Sequence, residues 1–341
     1  MSKVIVIGSF NVDHVWRCEA LPVAGATLSG QYQSGPGGKG FNQAMAASRA
    51  GAHTRFICAL GQDAGGKWAH ALAEAESMDL AAENSSAPTG TAGIYVDQQG
   101  NNSIVIGAGA NADLSTRFIA TQTESIKSAR VLLAQLESPQ ATIATGLALA
   151  RQHQIISILN PAPANAFPSK ELLELADILT PNETEFAALL NTRAEKTITA
   201  ETVAEMDEAQ LHALCRQISA QTVVITLGDC GVFVSHDPQR CHGDASAYYR
   251  LAAERAQVID TTGAGDAFNG ALAASLALAP RVMFADHVRF ANHYAARSTE
   301  TAGAALAMPR ITPNWPSAGL SLLADMANDW WALNRKLFGV P

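Results

Sequence analysis

No uninterrupted run of about 18 apolar residues occurs in this 341-residue chain, so no segment reads as a membrane-spanning helix. At the amino terminus, Met1-Ser2-Lys3 leads straight into Val4-Ile5-Val6-Ile7, too short an apolar stretch for the core of a secretory signal. Basic residues are also scarce: 23 Lys and Arg stand against 31 Asp and Glu, a formal net charge of −8. Such a chain has no basic stripe with which to neutralise a nucleic-acid backbone. A local pocket of backbone amides could still hold an anionic nucleotide. The five cysteines, Cys18, Cys58, Cys215, Cys230 and Cys241, are odd in number, scattered, and without a C-x-x-C pair. That pattern predicts reduced thiols and a cytoplasmic location. Internal repeats and low-complexity tracts are absent.

What the chain does have is apolar mass. A hydrophobic fraction of 48% against 16% charged residues predicts a large buried core. Val4 to Ile7 is a short β-branched run stopped by Gly8, as expected of a strand covered on both faces. Lys39 to Arg49 reads as a helix closed by Gly51, and Thr54 to Ala59 as the next strand. The alternation continues with strands at Ala129 to Gln135 and Ile155 to Leu159, and helices near Gln140 to Ala150 and Ser169 to Ala176. A short strand, Ile178-Leu179, follows; later come strands at Thr222 to Leu227 and Val232 to Ser235, then an alanine-rich helix from Asp266 to Leu278. This rhythm predicts an α/β fold with a doubly wound, mostly parallel sheet flanked by helices. Two segments break it, near residues 11–34 and 91–106; the second alternates Ile94, Val96 and Ile104, Val105 around a polar turn, a hairpin pattern. Together they predict a small β-sheet lid beside the core.

The most informative stretch is Val258-Ile259-Asp260-Thr261-Thr262-Gly263-Ala264-Gly265-Asp266-Ala267-Phe268, read as strand, glycine turn and helix. The first turn of a helix leaves backbone N–H groups unpaired, and glycines there let an anion approach closely. Asp266 would face the same cavity and could accept a proton from an attacking hydroxyl. The bland alternative is that Asp266 only caps its helix, but a simple cap does not need two preceding glycines. A dinucleotide fingerprint is excluded by the missing third small residue, and a Walker P-loop by the context of Gly37-Gly38-Lys39-Gly40.

At this point the chain resembles a family. Asp260-Thr-Thr-Gly-Ala-Gly-Asp266-Ala-Phe-Asn-Gly270 is similar to the carboxy-terminal signature of the PfkB carbohydrate kinases, and Gly37-Gly38-Lys39-Gly40-Phe41-Asn42-Gln43-Ala44 to their amino-terminal signature in the form of the ribokinase subgroup. Blocks at residues 8–13, 135–139, 160–163 and 180–185 resemble intermediate blocks of that subgroup, so the likeness spans about residues 3 to 311. It implies an ATP-dependent sugar kinase with a ribokinase-like domain over residues 1–312. Residues 313–341 then form a helical extension that the pattern does not need; it carries Trp315, Trp330 and Trp331.

The resemblance implies roles for particular residues. Asp266 would be the general base, with Gly263, Ala264 and Gly265 forming an anion hole. Asn11, Asp13, Gly38, Lys39, Asn42 and Glu137 would hold the sugar, a set chemically suited to a polyol. Singly, Asn11 and Asp13 read as an Asx turn and Lys39 as a solvated side chain. Asn182 and Glu185 match an N-x-x-E block that helps organise Mg²⁺ through water; the same spacing reads as a capping box. Thr226, Gly228 and Gly231 resemble a nucleotide-binding turn, which a plain hairpin turn would also explain, and Asn292 falls where a side chain lines the adenine. Asp260, Thr262, Ser298, Thr301 and Gly303 resemble a K⁺ site, although Ala307 stands where serine is common.

The implied cofactors are ATP, Mg²⁺ and K⁺. The implied partners are a small-molecule sugar, ATP and a second copy of the chain paired through the lid, with no nucleic acid and no membrane. The leading reading is transfer of phosphate to ribose. The alternatives are a nucleoside or other sugar kinase of the same family, a non-catalytic sugar-binding relative that would have lost Asp266 or the glycine turn, and a dehydrogenase disfavoured by the missing fingerprint.

Overall fold

The computed structural model describes residues 3–192 and 197–311, and the expected carboxy-terminal extension lies outside the described residues. Strands β1 (Val4–Ile7), β2 (Asn11–Cys18) and β3 (Gly30–Gly37) precede helix α1 (Lys39–Arg49). Next come β4 (Thr54–Gly61), α2 (Ala64–Ala75), β5 (Asp79–Ser85), β6 (Gly90–Val96) and β7 (Asn102–Gly107). Two short helices, α3 (Thr116–Thr121) and α4 (Thr123–Lys127), lead to β8 (Val131–Ala134), α5 (Gln140–Gln152), β9 (Ile156–Leu159), α6 (Lys170–Leu175), β10 (Ile178–Leu179) and α7 (Glu183–Asn191). The last third holds α8 (Ala200–Glu205), α9 (Glu208–Ile218), the hairpin β11 (Thr222–Thr226) and β12 (Val232–Ser235), β13 (Tyr248–Leu251), α10 (Ala264–Leu278) and α11 (Phe284–Ser298).

Nine strands form the main sheet in the order β13-β12-β11-β10-β9-β8-β1-β4-β5. All pairs from β11 to β5 are parallel, and β12 and β13 are added antiparallel at one edge. The residues of β1 explain the layering. Successive side chains point to opposite faces, so Val4 and Val6 enter the core beneath α1, α10 and α11, while Ile5 and Ile7 enter the one beneath α5, α7 and α9. β1 lies between β4 and β8 and is where the winding reverses. A crevice is expected at such a reversal, beyond the carboxyl ends of the strands.

The second sheet has the order β3-β2-β6-β7, with β2 and β6 parallel and the outer pairs antiparallel. It takes in both segments that break the α/β rhythm. One face carries a cluster of His14, Trp16, Tyr32 and Tyr95; Trp16 stacks on Tyr95 with ring centroids 5.3 Å apart.

Two expectations need correction, and three elements were not foreseen. Val258 to Asp260 is not a strand: Val258 and Ile259 are exposed, and the amides of Ile259 and Asp260 bond instead to the carbonyl of Thr299 at the end of α11. The following helix starts at Ala264, so Asp266 is its third residue and not its cap. The β5 and β13 edge strands and α2 carry no clear sequence signal, because polar residues interrupt the strands and Gly65-Gly66 sits in the first turn of α2.

Helices α1 and α10 pack backbone to backbone at Gly270. A Cβ there would lie 2.4 Å from both the Gln43 carbonyl oxygen and the Ala46 Cβ. Gly270→Ala is therefore expected to destabilise the protein by about 2–3 kcal/mol through overpacking, lowering the melting temperature by about 5–10 °C in thermal denaturation. An unchanged melting temperature would contradict this packing.

Candidate active site

The crevice at the reversal of the main sheet is lined by residues that follow the strand ends. Asn160 follows β9, Thr180 and Asn182 follow β10, and Thr226 ends β11; the first turns of α1 and α10 complete the wall with Lys39 and with Gly263, Ala264, Gly265 and Asp266. They enclose a cavity of about 150 Å³.

The end of α10 is built for an anion. Gly263 caps the helix at φ 77°, a left-handed conformation that favours glycine. The amide of Ala264 donates to the Thr261 carbonyl (3.1 Å) and that of Ala267 to Gly263 (2.8 Å). The first-turn donors left for a ligand are those of Gly265 and Asp266, for which helix geometry supplies no partner. A Cβ at Gly265 would meet nothing within 4 Å, so open space lies directly before this turn.

Asp266 is buried yet held at both oxygens. Oδ2 accepts from Asn42 Nδ2 (2.9 Å) and Oδ1 from Gln43 Nε2 (2.9 Å), side chains of the helix on the opposite wall. Burial pushes its pKa above the usual carboxylate range, against the opposing pull of Lys39 and the two amides. The pKa of Lys39 is raised as well, but by charge and not by burial. Burial alone would lower its pKa, but the carboxylates of Asp266, Glu137 and Glu185 outweigh that and hold the ammonium charged.

Glu137 occupies a position that sequence reasoning assigned to sugar binding. Its Oε2 accepts from the Lys39 backbone N–H (3.0 Å) and from Ser9 Oγ (2.6 Å). Gly38, the cap of α1, has no side chain to offer, so Glu137 serves the amino terminus of that helix from outside. Gly38 itself has φ 86°, and a Cβ there would lie 2.8 Å from the Asn11 amide. Asn11 is buried, with Oδ1 accepting from Asn111 Nδ2 (2.8 Å). Asn111 also pairs both ways with the Phe10 backbone, fixing the strand end before Asn11. Asp13, two residues along β2, points to the same side as Asn11. Burial, then Glu137 and Asp266, raise its pKa to about 7.

The Asn182–Glu185 pair forms a complete capping box: Glu185 N donates to Asn182 Oδ1 (2.8 Å) and Asn182 N to Glu185 Oε2 (2.9 Å). Glu185 also lines the cavity, and burial raises its pKa. Cap and cavity wall are one residue. Gly228 and Gly231 hold the tight β11–β12 connection at positive φ, and Thr226 is tied by its amide to the Pro181 carbonyl (3.1 Å). Asn292 lies outside the cavity lining and donates to the Ala252 carbonyl (2.8 Å).

Of the cation-loop residues, Asp260 accepts from the amides of Thr262 and Gly303, both at 2.9 Å, pinning two loops together. Ser298 Oγ is engaged with the Ala295 carbonyl (2.7 Å). Among the described residues no group of three or more His, Cys, Asp or Glu could hold a metal ion, and no helix is long and apolar enough to cross a membrane.

Residues that sequence reasoning did not single out are Gln43, Gln135 and Asn160, a buried amide chain. Gln43 Nε2 also donates to Asn160 Oδ1 (3.1 Å), Gln135 Nε2 donates to Gln43 Oε1 (2.5 Å), and Asn160 Nδ2 reaches the Thr180 carbonyl (2.8 Å). Gln43 lies within the first glycine-rich block, beside Asn42; its partners lie about a hundred residues or more away, beyond any local signal.

The pfkB family carbohydrate kinase model matches residues 1–311. The chain is 38% identical over 274 residues to the ribokinase of Haemophilus influenzae, covering 80% of this chain and 84% of that protein. It is 33% identical over 313 residues to the ribokinase of Mus musculus, covering 90% and 92%. Among solved structures, ribokinase from Giardia lamblia matches with a TM-score of 0.79 at 26% identity, covering 97% of this chain and 99% of that one. Arabidopsis thaliana ribokinase complexed with ribose and ATP matches with a TM-score of 0.75 at 28% identity, covering 95% and 98%.

The geometry makes Asp13 costly to the fold. Its carboxyl ionises near pH 7 in the folded protein and near 3.8 when exposed. Ionisation thus favours the unfolded chain progressively between these values; the cost is absent below the lower one and complete above the upper one. Asp13→Asn is expected to raise stability by about 1–3 kcal/mol at about pH 8 and by less at about pH 5, measured by thermal denaturation. An equal change at both would contradict the raised pKa.

Proposed function

Because the chain belongs to the pfkB family of carbohydrate kinases, we propose that it transfers the γ-phosphoryl group of ATP to the 5-hydroxyl of D-ribose, with Asp266 as general base. It is an ATP-dependent phosphotransferase with an alcohol group as acceptor. The observation that supports the assignment of roles is the junction at Asp266: this buried carboxylate lines the cavity with the amino-terminal turn of α10, and on its other side it is held directly by Asn42 and Gln43 of α1.

In this reading the sugar lies between α1 and the second sheet. Asn42 Oδ1 supports it, being a buried acceptor with no hydrogen-bond partner in the protein, as a site awaiting a hydroxyl requires. Asn11, Asp13, Gly38, Lys39 and Glu137 complete the sugar site, and the second sheet acts as its lid. Asp266 accepts the hydroxyl proton as the oxygen attacks phosphorus, while the anion hole expected at Gly263, Ala264 and Gly265 receives charge on the phosphoryl oxygens, with the amide of Asp266 taking the place of the Ala264 amide, which already donates to Thr261. Lys39 offsets the charge of the surrounding carboxylates. Thr226, Gly228 and Gly231 form the nucleotide-binding turn, with Asn292 beyond it toward the adenine.

Mg²⁺ fits the site through Glu185, a buried carboxylate on the cavity wall beside Asn182 that would hold the ion through water; arriving with ATP, the ion would supply charge neutralisation for the phosphates. K⁺ fits less well. Of Asp260, Thr262, Ser298, Thr301 and Gly303, Asp260 is joined to the amides of Thr262 and Gly303, which engages both its oxygens, and Ala307 offers no side-chain oxygen. A cytoplasmic setting agrees with five cysteines that all remain unpaired. A homodimer formed through the lid agrees with the exposure of Ile104, Val105 and Ile106 on the edge strand β7. Sedimentation at micromolar concentration is expected to give the dimer mass, and a monomer would contradict that pairing.

The activity test is ADP formation from Mg·ATP with ribose, deoxyribose, fructose and adenosine, with and without K⁺. Ribose-selective turnover that drops about 10³-fold in Asp266→Asn, with the fold retained, is the expected result. Selective turnover of adenosine would transfer the assignment to nucleosides, and full activity in the variant would remove Asp266 from the base role.

A further inference from the structure

The Asp266 carboxylate receives two amide donors from consecutive residues of α1, Asn42 to Oδ2 and Gln43 to Oδ1, each at 2.9 Å. Consecutive helical residues point about 100° apart. Both can reach one carboxylate only because the first turn of α10 lies directly opposite the first turn of α1. The two amides differ in what stands behind them. Asn42 leaves its carbonyl oxygen unpaired at the sugar side. Gln43 is wholly buried, and its carbonyl oxygen accepts from Gln135 Nε2 at 2.5 Å.

That second bond decides the direction of the Gln43 amide. With its oxygen taken by an N–H donor, the side chain can present only its NH₂ group to Asp266, and this group also donates to Asn160 Oδ1 (3.1 Å). Gln135 is held in turn by packing: a Cβ on Gly8 would fall 2.1 Å from Gln135 Oε1, so only the bare backbone after β1 leaves room for that amide. The chain Gln135 to Gln43 to Asp266 therefore runs from the ends of the two central strands to the carboxylate; the Gln43 amide is oriented by a donor behind it and an acceptor ahead of it, while Gln135 Oε1 has no hydrogen-bond partner in the protein.

We propose that Gln43 is a positioning residue: oriented by Gln135, its amide holds the Asp266 carboxylate in one rotamer and stabilises it as the ionised acceptor that phosphoryl transfer needs. The inference rests on the reading of Asp266 as the base. A donor to one carboxylate oxygen favours the charged form. It acts here against burial and against Asp13 from β2, Glu137 from the loop after β8 and Glu185 from α7, while Lys39 from α1 acts on the same side as Gln43. An amide that merely filled the core would leave the ionisation of the site unchanged.

The test compares Gln43→Met, Gln135→Met, Asp266→Asn and the double variant Gln43→Met/Asp266→Asn in the full chain, following kcat, KM for ribose and ATP, and the acidic limb of the kcat/KM pH profile. Gln43→Met is expected to lower kcat about 10- to 100-fold with both KM values within about two-fold, and to move the acidic limb upward by about one pH unit. Gln135→Met, which does not touch Asp266, moves the limb the same way by less, and carries the test if Gln43→Met folds poorly. In the Asp266→Asn background, Gln43→Met lowers kcat no further. An unmoved limb in either single variant, or the same loss with and without Asp266, overturns the role of Gln43. Full activity in Asp266→Asn alone would instead overturn the base reading.

Discussion

The rest of the site depends on one constraint: a carboxylate is buried where the first turn of α10 packs against the side of α1, and it must be satisfied there by the protein's own donors. Burial disfavours the charge of Asp266. What offsets that cost is drawn from distant parts of the chain: the amides of Asn42 and Gln43 and the ammonium of Lys39, all on α1. The contact of α1 and α10 at Gly270 brings them within reach. The packing of the core and the chemistry of the site are therefore the same arrangement seen at two depths. A small displacement between these helices would loosen the base before it opened a cavity.

The charge balance around the cavity follows the same logic. Asp13, Glu137, Glu185 and Asp266 surround a single ammonium, so in the absence of ligand the site holds more negative charge than it can comfortably keep. Burial and the neighbouring carboxylates push the Asp13 carboxyl up to about 7. A polyol donating hydroxyl protons relieves such a site, and hydrogen bonds to crowded carboxylates are among the stronger neutral-to-charged interactions. In the proposed reading, stability given up at these carboxylates would be recovered when the acceptor binds, as expected of functional sites held under tension.

Much of this was legible in the sequence because glycine and apolar periodicity are local signals. The parallel core, the hairpin around Asp97 to Asn101 and the glycine turn before Asp266 all follow from residues within one element of each other. The misread strand at Val258 to Asp260 shows the limit. Two β-branched residues look like a buried strand, yet here they lie exposed against the end of α11, with no partner strand to accept them. Glu185 shows another: a capping box and a cavity wall have one spacing, and only the position of β10 and α7 relative to α10 reveals that both readings hold. Gln43, Gln135 and Asn160 lie within blocks that resemble the family, but their roles were not legible, and Asn111 gave no signal, since these buried amides acquire their roles mainly through partners about a hundred residues away or more.

In the proposed mechanism Asp266 and the α10 amides act on a single phosphorus, with no covalent phosphoenzyme between ATP and sugar. The stereochemical course at that atom tests this most directly, using ATP made chiral at the γ-phosphorus with oxygen isotopes, with ribose as acceptor. Inversion of configuration is the predicted result, since one in-line displacement reverses the centre. Retention would require two displacements and a phosphorylated residue, and would contradict the arrangement described for this site.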